Sequence, residues 1–367
     1  MKGSVISWSR DLVITMCLFV VVGCQAQQQG REEGQEQVNG QARVATSFWA
    51  IGTPAYSDVE GYRVIYAEGK ERHCYPVEAW FGGPWEDTYH DLHHHGVAVE
   101  SELMAYRIYF DKKQTIDVYC KRTPRLELAE SFWYPNDSLL AEHYGDDILR
   151  VGGTVGVGTV KYWNGKLCHI EDVGERQQWI VRQTADTAVI AVCDIDWTVP
   201  DGKEDVPETR TVVNLDVEYM MCAGHRDMRC DVTVSERMEG LCTGVQRIKQ
   251  SAFSHQPSEV RIQTLENGVV LSSWGTDWPV NDTVKYAKET VGLGVFIPKE
   301  FAGECVYDAK NNLCLLKLSA FSNQYSEEHY RAHFYLTCVG ATKEDNPVAR
   351  NAEEWEAYLK KWAKELQ

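Results

Sequence analysis

Two Asn-Gly pairs, each set between short runs of β-branched and aromatic residues, constrain this chain more than any other feature. Asn164-Gly165 follows Val160, Lys161, Tyr162 and Trp163, and Asn267-Gly268 joins residues 261–266 to residues 269–274. Asn-Gly takes the positive φ angles of a type I′ turn, so each pair predicts a β-hairpin. Asn311-Asn312, ahead of Leu313, predicts a third. Further apolar–polar alternation predicts strands at residues 115–121, 188–197, 210–220, 228–237, 291–297 and 332–339. No internal repeat of roughly 20–50 residues is visible, which disfavours a propeller or solenoid. Many hairpins and few helices make an all-β fold, a large antiparallel β-sandwich, the natural architecture.

Helical periodicity enters only at the end. Asn351 with Glu354 three residues on is a capping box, and Trp355, Tyr358, Leu359 and Trp362 recur at helical spacing on one stripe. A terminal helix over residues 351–366 is therefore expected, packed on the sandwich.

The opposite end is a leader. Lys2 and Arg10 precede an apolar run over residues 12–22, which is the length of a signal-peptide core and too short for a stable membrane span. Val21-Val22-Gly23-Cys24 fits a lipobox, with Cys24 as the lipidated residue after cleavage of residues 1–23. Residues 24–44 are rich in Gln, Glu and Gly and are expected to be a tether, leaving residues 45–367 as one β domain. This places the protein in the cell envelope, held at the membrane by its lipid alone.

The net charge is −17 and the leader removes one net positive charge more, a balance that argues against a nucleic-acid partner. It is compatible with an acidic poly- or oligosaccharide as partner where Arg, Lys and His reverse the local field. Of twelve cysteines, Cys17 goes with the leader and Cys24 with the lipid. The even remainder permits disulfides in an oxidising compartment, and the absence of any CxxC pair disfavours a zinc ribbon.

Polar chemistry is densest over residues 80–109. With residues 97–110 as one strand of period two, Val97, Val99, Ser101, Leu103 and Ala105 form a small apolar face. The other face carries Glu100, Glu102, Met104 and Tyr106, and His94 shares its parity. Glu100, Tyr106 and His94 are thus the candidate proton-transfer residues, since acid, phenol and imidazole are the groups that sugar chemistry requires. A solvated, charged edge strand is the bland alternative. No cofactor is expected, although Asp87, His90, Asp91 and His94 would share one face were the segment helical, which is the spacing of a divalent metal site. The glycines of residues 152–158 lead into a hairpin rather than a helix, so they mark a turn or bulge and not a phosphate loop. Twelve Trp and eighteen Tyr are ample for stacking on sugar rings.

Glu100, the strand Ala105-Tyr106-Arg107-Ile108-Tyr109, the segment Glu142-His143-Tyr144-Gly145-Asp146-Asp147, Trp163-Asn164-Gly165-Lys166-Leu167 and the Glu-Trp-x-x-Tyr-Leu helix at residues 354–359 resemble a family of secreted bacterial proteins, the domain of unknown function 4861. The resemblance spans residues 75–362. Val99, Ser101 and Glu102 stand where that family has Trp, Asn and Asp, and His93-His94 stand in place of acids. It implies a galactose-mutarotase-like supersandwich and a place beside systems that degrade pectin and other uronate polysaccharides. Together these readings point to a lipid-anchored lyase or hydrolase for uronic-acid-containing glycans, with Arg107, His143 and Asp146 holding the sugar and its carboxylate. Arg107 has the wrong parity for the Glu100 face in this scheme. A non-catalytic glycan-binding lipoprotein is the alternative reading, and a sugar epimerase the third.

Overall fold

The computed structural model describes residues 43–48, 62–65, 78–81, 92–131, 133–200, 211–248, 259–323 and 327–366. In chain order the strands are β1 Val44–Ser47, β2 Tyr62–Ile65, β3 Glu78–Phe81, β4 Ala98–Ser101, β5 Met104–Ile108, β6 Ile116–Cys120 and β7 Asp146–Asp147. Next come β8 Lys161–Trp163, β9 Leu167–Cys168, β10 Glu175–Gln183, β11 Thr187–Thr198, β12 Val212–Cys222, β13 Met228–Val234 and β14 Leu241–Gln246. The last are β15 Glu259–Thr264, β16 Gly268–Asp277, β17 Glu289–Pro298, β18 Ala302–Tyr307, β19 Asn311–Leu316, β20 Ser319–Ser322 and β21 Glu328–Gly340. Helix α1 spans Asp137–Ala141 and α2 spans Ala352–Glu365. The leader, residues 24–42 of the expected tether and the candidate metal ligands Asp87, His90 and Asp91 lie outside the described residues, and the tether's expected last residue, Val44, already belongs to β1.

The strands pair antiparallel throughout the described residues. One large sheet runs β15-β16-β17-β21-β13-β12-β11-β10-β3-β2, with β20 beside β21. Two five-stranded sheets run β1-β4-β5-β6-β7 and β18-β19-β14-β8-β9. Period-two alternation gives the large sheet one apolar face, on which Val217, Tyr219, Val232 and Phe334 pack against Val99, Tyr106 and Val118 of the first small sheet and Val245 and Cys314 of the second. Burying each such side chain contributes about 1.5–3 kcal/mol, so this layer dominates stability. The expected antiparallel sandwich with a terminal helix is the fold observed.

Helix α2 covers one end of the large sheet's other face. Asn351 accepts the Glu354 N–H at 2.9 Å, and Glu354 in turn accepts the Arg350 N–H at 2.7 Å. Its stripe of Trp355, Leu359 and Trp362 packs on Val270, Phe296 and Tyr335. Gly292 and Gly294 on β17 let the helix come close, since a Cβ on either would lie 2.9 Å from the Trp355 ring or 2.4 Å from Leu359.

Both Asn-Gly hairpins form, between β8 and β9 with Gly165 at φ +99° and between β15 and β16 with Leu265 N–H donating to Gly268 at 2.8 Å. The third hairpin forms with its turn earlier than the Asn pair. Asp308 Oδ1 accepts the N–H groups of Lys310 and Asn311 at 2.7 Å each, and Asn311 and Asn312 already belong to β19. The glycine run is a tight crossing: a Cβ on Gly156, at φ +52°, would lie 2.5 Å from the Ile116 carbonyl.

Candidate functional site

Residues 97–110 are not one strand. The chain turns at Glu102-Leu103, so β4 and β5 form a hairpin in which Glu100 faces Ala105 and Val99 faces Tyr106. Paired residues share a sheet face, which corrects the parity expected from sequence. Tyr106 points into the central core, where its hydroxyl donates to the Arg226 carbonyl at 2.6 Å and burial pushes its pKa well up. Glu100 points the other way, on the same face as Arg107. That removes the conflict over Arg107 and separates Glu100 from Tyr106.

On that face Glu100 is closed in. It pairs with Lys121 and accepts the N–H groups of Glu127 at 2.8 Å and Leu128 at 3.0 Å, with no exposed surface. Arg107 pairs with Asp117, reaches Asp147 at 3.0 Å and donates to the Trp133 carbonyl at 2.6 Å. Burial pulls its pKa down, but the two carboxylates outweigh that and hold it above the usual arginine value. His94 is wholly buried at φ +55°, with Nε2 2.8 Å from the Leu128 carbonyl, and burial followed by the charge of His93 drives its pKa well down. Asp146, beside the Asp147 that Arg107 holds, is raised chiefly by burial. His143 is exposed at φ +70° and meets Asp345 at 2.9 Å. The structure thus joins Glu100, His94 and Arg107 into one buried polar layer with Asp117 and Asp147, while Asp146, opposite Cys120, lies on the Tyr106 side of the sheet and His143 at the surface.

A second polar surface lies on the face of the large sheet turned away from the core. On β12 the residues Val213, Leu215, Val217 and Tyr219 enter the core, which turns Asn214, Asp216 and Glu218 outward. Register then lays one row across five strands: Trp179 opposite Ala191, Ala191 opposite Glu218, Glu218 opposite Asp231, and Asp231 opposite His333. Neighbouring strands stand about 4.8 Å apart, so roughly 10 Å separates Trp179 from Glu218 with only the Ala191 methyl between them. A bulge after Ile180 shifts the register of β10 so that Arg182 faces Val189, on the outer face with Ala191. Strict alternation would have sent Arg182 into the core beside Ile180; the bulge re-aims it.

The charges on this face are unevenly satisfied. Arg229 holds Asp231 in a two-pronged pair at 2.8 and 2.7 Å. Glu218 is only 5 % exposed, and its Oε2 has no hydrogen-bond partner among the described residues; the same is true of Arg182 Nε. Burial, then the charges of Asp231 and Asp216, push the Glu218 carboxyl up to about 8 against the pull of Arg182. Burial raises Asp216 to about 6, with a hydrogen bond from Cys193 opposing. At neutral pH one of these two carboxyls is therefore protonated and the other ionised, the division of labour that acid–base catalysis needs. His333 is lowered to about 4, by burial and then by Arg229, so it stands neutral. Among the described residues no group of three His, Cys, Asp or Glu is arranged to hold a metal ion.

A family model described as a domain of unknown function (DUF4861) matches residues 77–367. The chain belongs to that family. No curated protein matches it. The DUF4861 match contains both polar surfaces, the layer around Glu100 and the outer-face row through Glu218. Sequence reasoning passed over the second because its members come from β10, β12, β13 and β21, far apart in the chain. One signal was present: Asn214, Asp216 and Glu218 alternate with apolar residues in a strand expected from sequence, which places two acids on a single face. The bulge that brings Arg182 to them carries no Gly or Pro to announce it.

Proposed function

We propose that this DUF4861 protein is an exported, lipid-anchored enzyme that cleaves uronic-acid-containing polysaccharides or oligosaccharides on the outer face of its large sheet. The observation that carries the reading is Glu218: a nearly buried carboxyl with an unpartnered oxygen, in one row with Trp179 and beside the bulge-directed Arg182. In this reading the half-buried Trp179 stacks on one sugar ring. Arg182, a partly buried cation whose charge acts on Glu218, takes the uronate carboxylate. Glu218 gives its proton to the departing glycosidic oxygen, and Asp216 is the base that removes a proton from water or from the carbon next to the carboxylate. Proton transfer is thereby assigned to Glu218 and Asp216 rather than to Glu100, Tyr106 and His94, whose polar atoms are occupied by internal partners or enclosed in the core.

Export is supported by the leader ending at Cys24 and by the disulfide bond at Cys222, since such bonds persist in oxidising compartments. The test is a product screen of the purified processed protein on uronate polysaccharides and on neutral glycans. Cleavage of the carboxylated substrates is expected, with an unsaturated uronate reporting elimination and a saturated new reducing end reporting hydrolysis. Binding of a uronate oligosaccharide with no product would replace the enzyme with a glycan-capture protein, and turnover of neutral glycans alone would refute the role of Arg182.

A further inference from the structure

Outside the glycan surface, the small sheet β18-β19-β14-β8-β9 brings two cysteines together. Cys305 on β18 and Cys314 on β19 are directly opposed in antiparallel register. Opposed residues in such a ladder have Cα atoms about 4.5–5.5 Å apart, inside the ~4.4–6.8 Å window that a disulfide requires. Both are free thiols, and their side chains are in hydrogen-bond contact. Cys314 has no exposed surface, whereas Cys305 is half-buried and reachable from solvent. The hydrogen bond with Cys314 pulls the Cys305 thiol below its ordinary value, which favours its thiolate. Cys242 lies in the same sheet opposite Leu315, the neighbour of Cys314, and therefore on the other face. It packs with Val155 and Leu313, away from the pair.

We propose that Cys305 and Cys314 form an oxidisable cross-strand dithiol, with Cys305 the attacking sulfur and Cys314 the resolving one, closed to a disulfide by exchange with a small-molecule or protein disulfide. The Cys305 thiolate attacks one sulfur of the donor, forms a mixed disulfide and expels a thiolate. Cys314 then gives its proton to that thiolate and attacks the Cys305 sulfur, expelling the donor's second half as a thiolate, which takes up from solvent the proton that Cys305 had released. Two protein thiols lose two electrons and two protons, and one disulfide becomes two thiols.

Glutathione disulfide is the probe. The processed protein is treated with it, denatured and alkylated, and digested with trypsin without reduction. Cleavage after Lys299, Lys310 and Lys317 puts the two cysteines on peptides 300–310 and 311–317. The expected product is these two peptides joined by a disulfide, with Cys242 recovered alkylated. In Cys305→Ser, Cys314 should be recovered alkylated, because it is buried and has lost its attacking partner. Peptides carrying only alkyl groups or glutathione, a Cys314–Cys242 bridge, or oxidation of Cys314 unchanged in Cys305→Ser would each overturn the proposal.

Discussion

Glu100 and Glu218 are both glutamates with almost no exposed surface, and they differ in what surrounds the carboxyl. Glu100 has Lys121 and two backbone N–H groups, so its charge is answered inside the protein. Removing that charge strands a buried ammonium: Glu100→Gln is expected to cost about 3–5 kcal/mol, measured by denaturant unfolding. Glu218 faces acids instead, and titration gives it away. Activity should rise as Asp216 ionises near pH 6 and fall as Glu218 loses its proton near pH 8, a bell read from kcat/KM. Stability falls over a lower pH range than activity does on its alkaline limb. Because Glu218 binds its proton more tightly folded than unfolded, its contribution is fully present below its ordinary value of 4.5 and is lost as pH rises to about 8. The loss is at most about 1.4 kcal/mol per pH unit, and Glu218→Gln should flatten that slope.

At the scale of elements, one inserted residue in β10 decides whether Arg182 serves the core or the outer face. Arg182→Ala should raise KM for a carboxylated glycan by about tenfold or more, as expected for a lost hydrogen bond to a charged group, and leave neutral sugars unaffected. At the other end of the fold, Asn351→Ala should cost about 1 kcal/mol by removing the cap of α2, seen as a lowered thermal midpoint. These two elements also mark how far sequence carries. The cap, the stripe of Trp355, Leu359 and Trp362, and both Asn-Gly hairpins are local features, and each was legible. The hairpin at Glu102-Leu103 was not, because no Gly, Pro or Asn stands at the turn and the alternation continues through it with the wrong phase. That phase error put Glu100 and Tyr106 on one face. The Trp179–His333 row was illegible for a different reason: register between strands far apart in the chain is set by the packed core, which no short window contains.

The whole molecule divides its work between the two faces of one large sheet. The inner face, pressed on both small sheets, supplies stability. The outer face is covered by α2 at one end and carries Trp179, Arg182, Asp216, Glu218, Asp231 and His333 at the other. Side chains on the outer face of central strands are held by the core beneath them, so they can be altered at little cost to the fold. The most direct test sets Glu218→Gln beside Glu100→Gln on one uronate substrate, with turnover and unfolding free energy measured for both. Glu218→Gln should remain folded, within about 1–2 kcal/mol of the parent, and lose roughly 10²–10⁴ in kcat. Glu100→Gln should lose stability and keep its turnover per folded molecule. Full activity in Glu218→Gln, with turnover abolished in folded Glu100→Gln, would contradict the account and move the chemistry to the layer beneath Trp133.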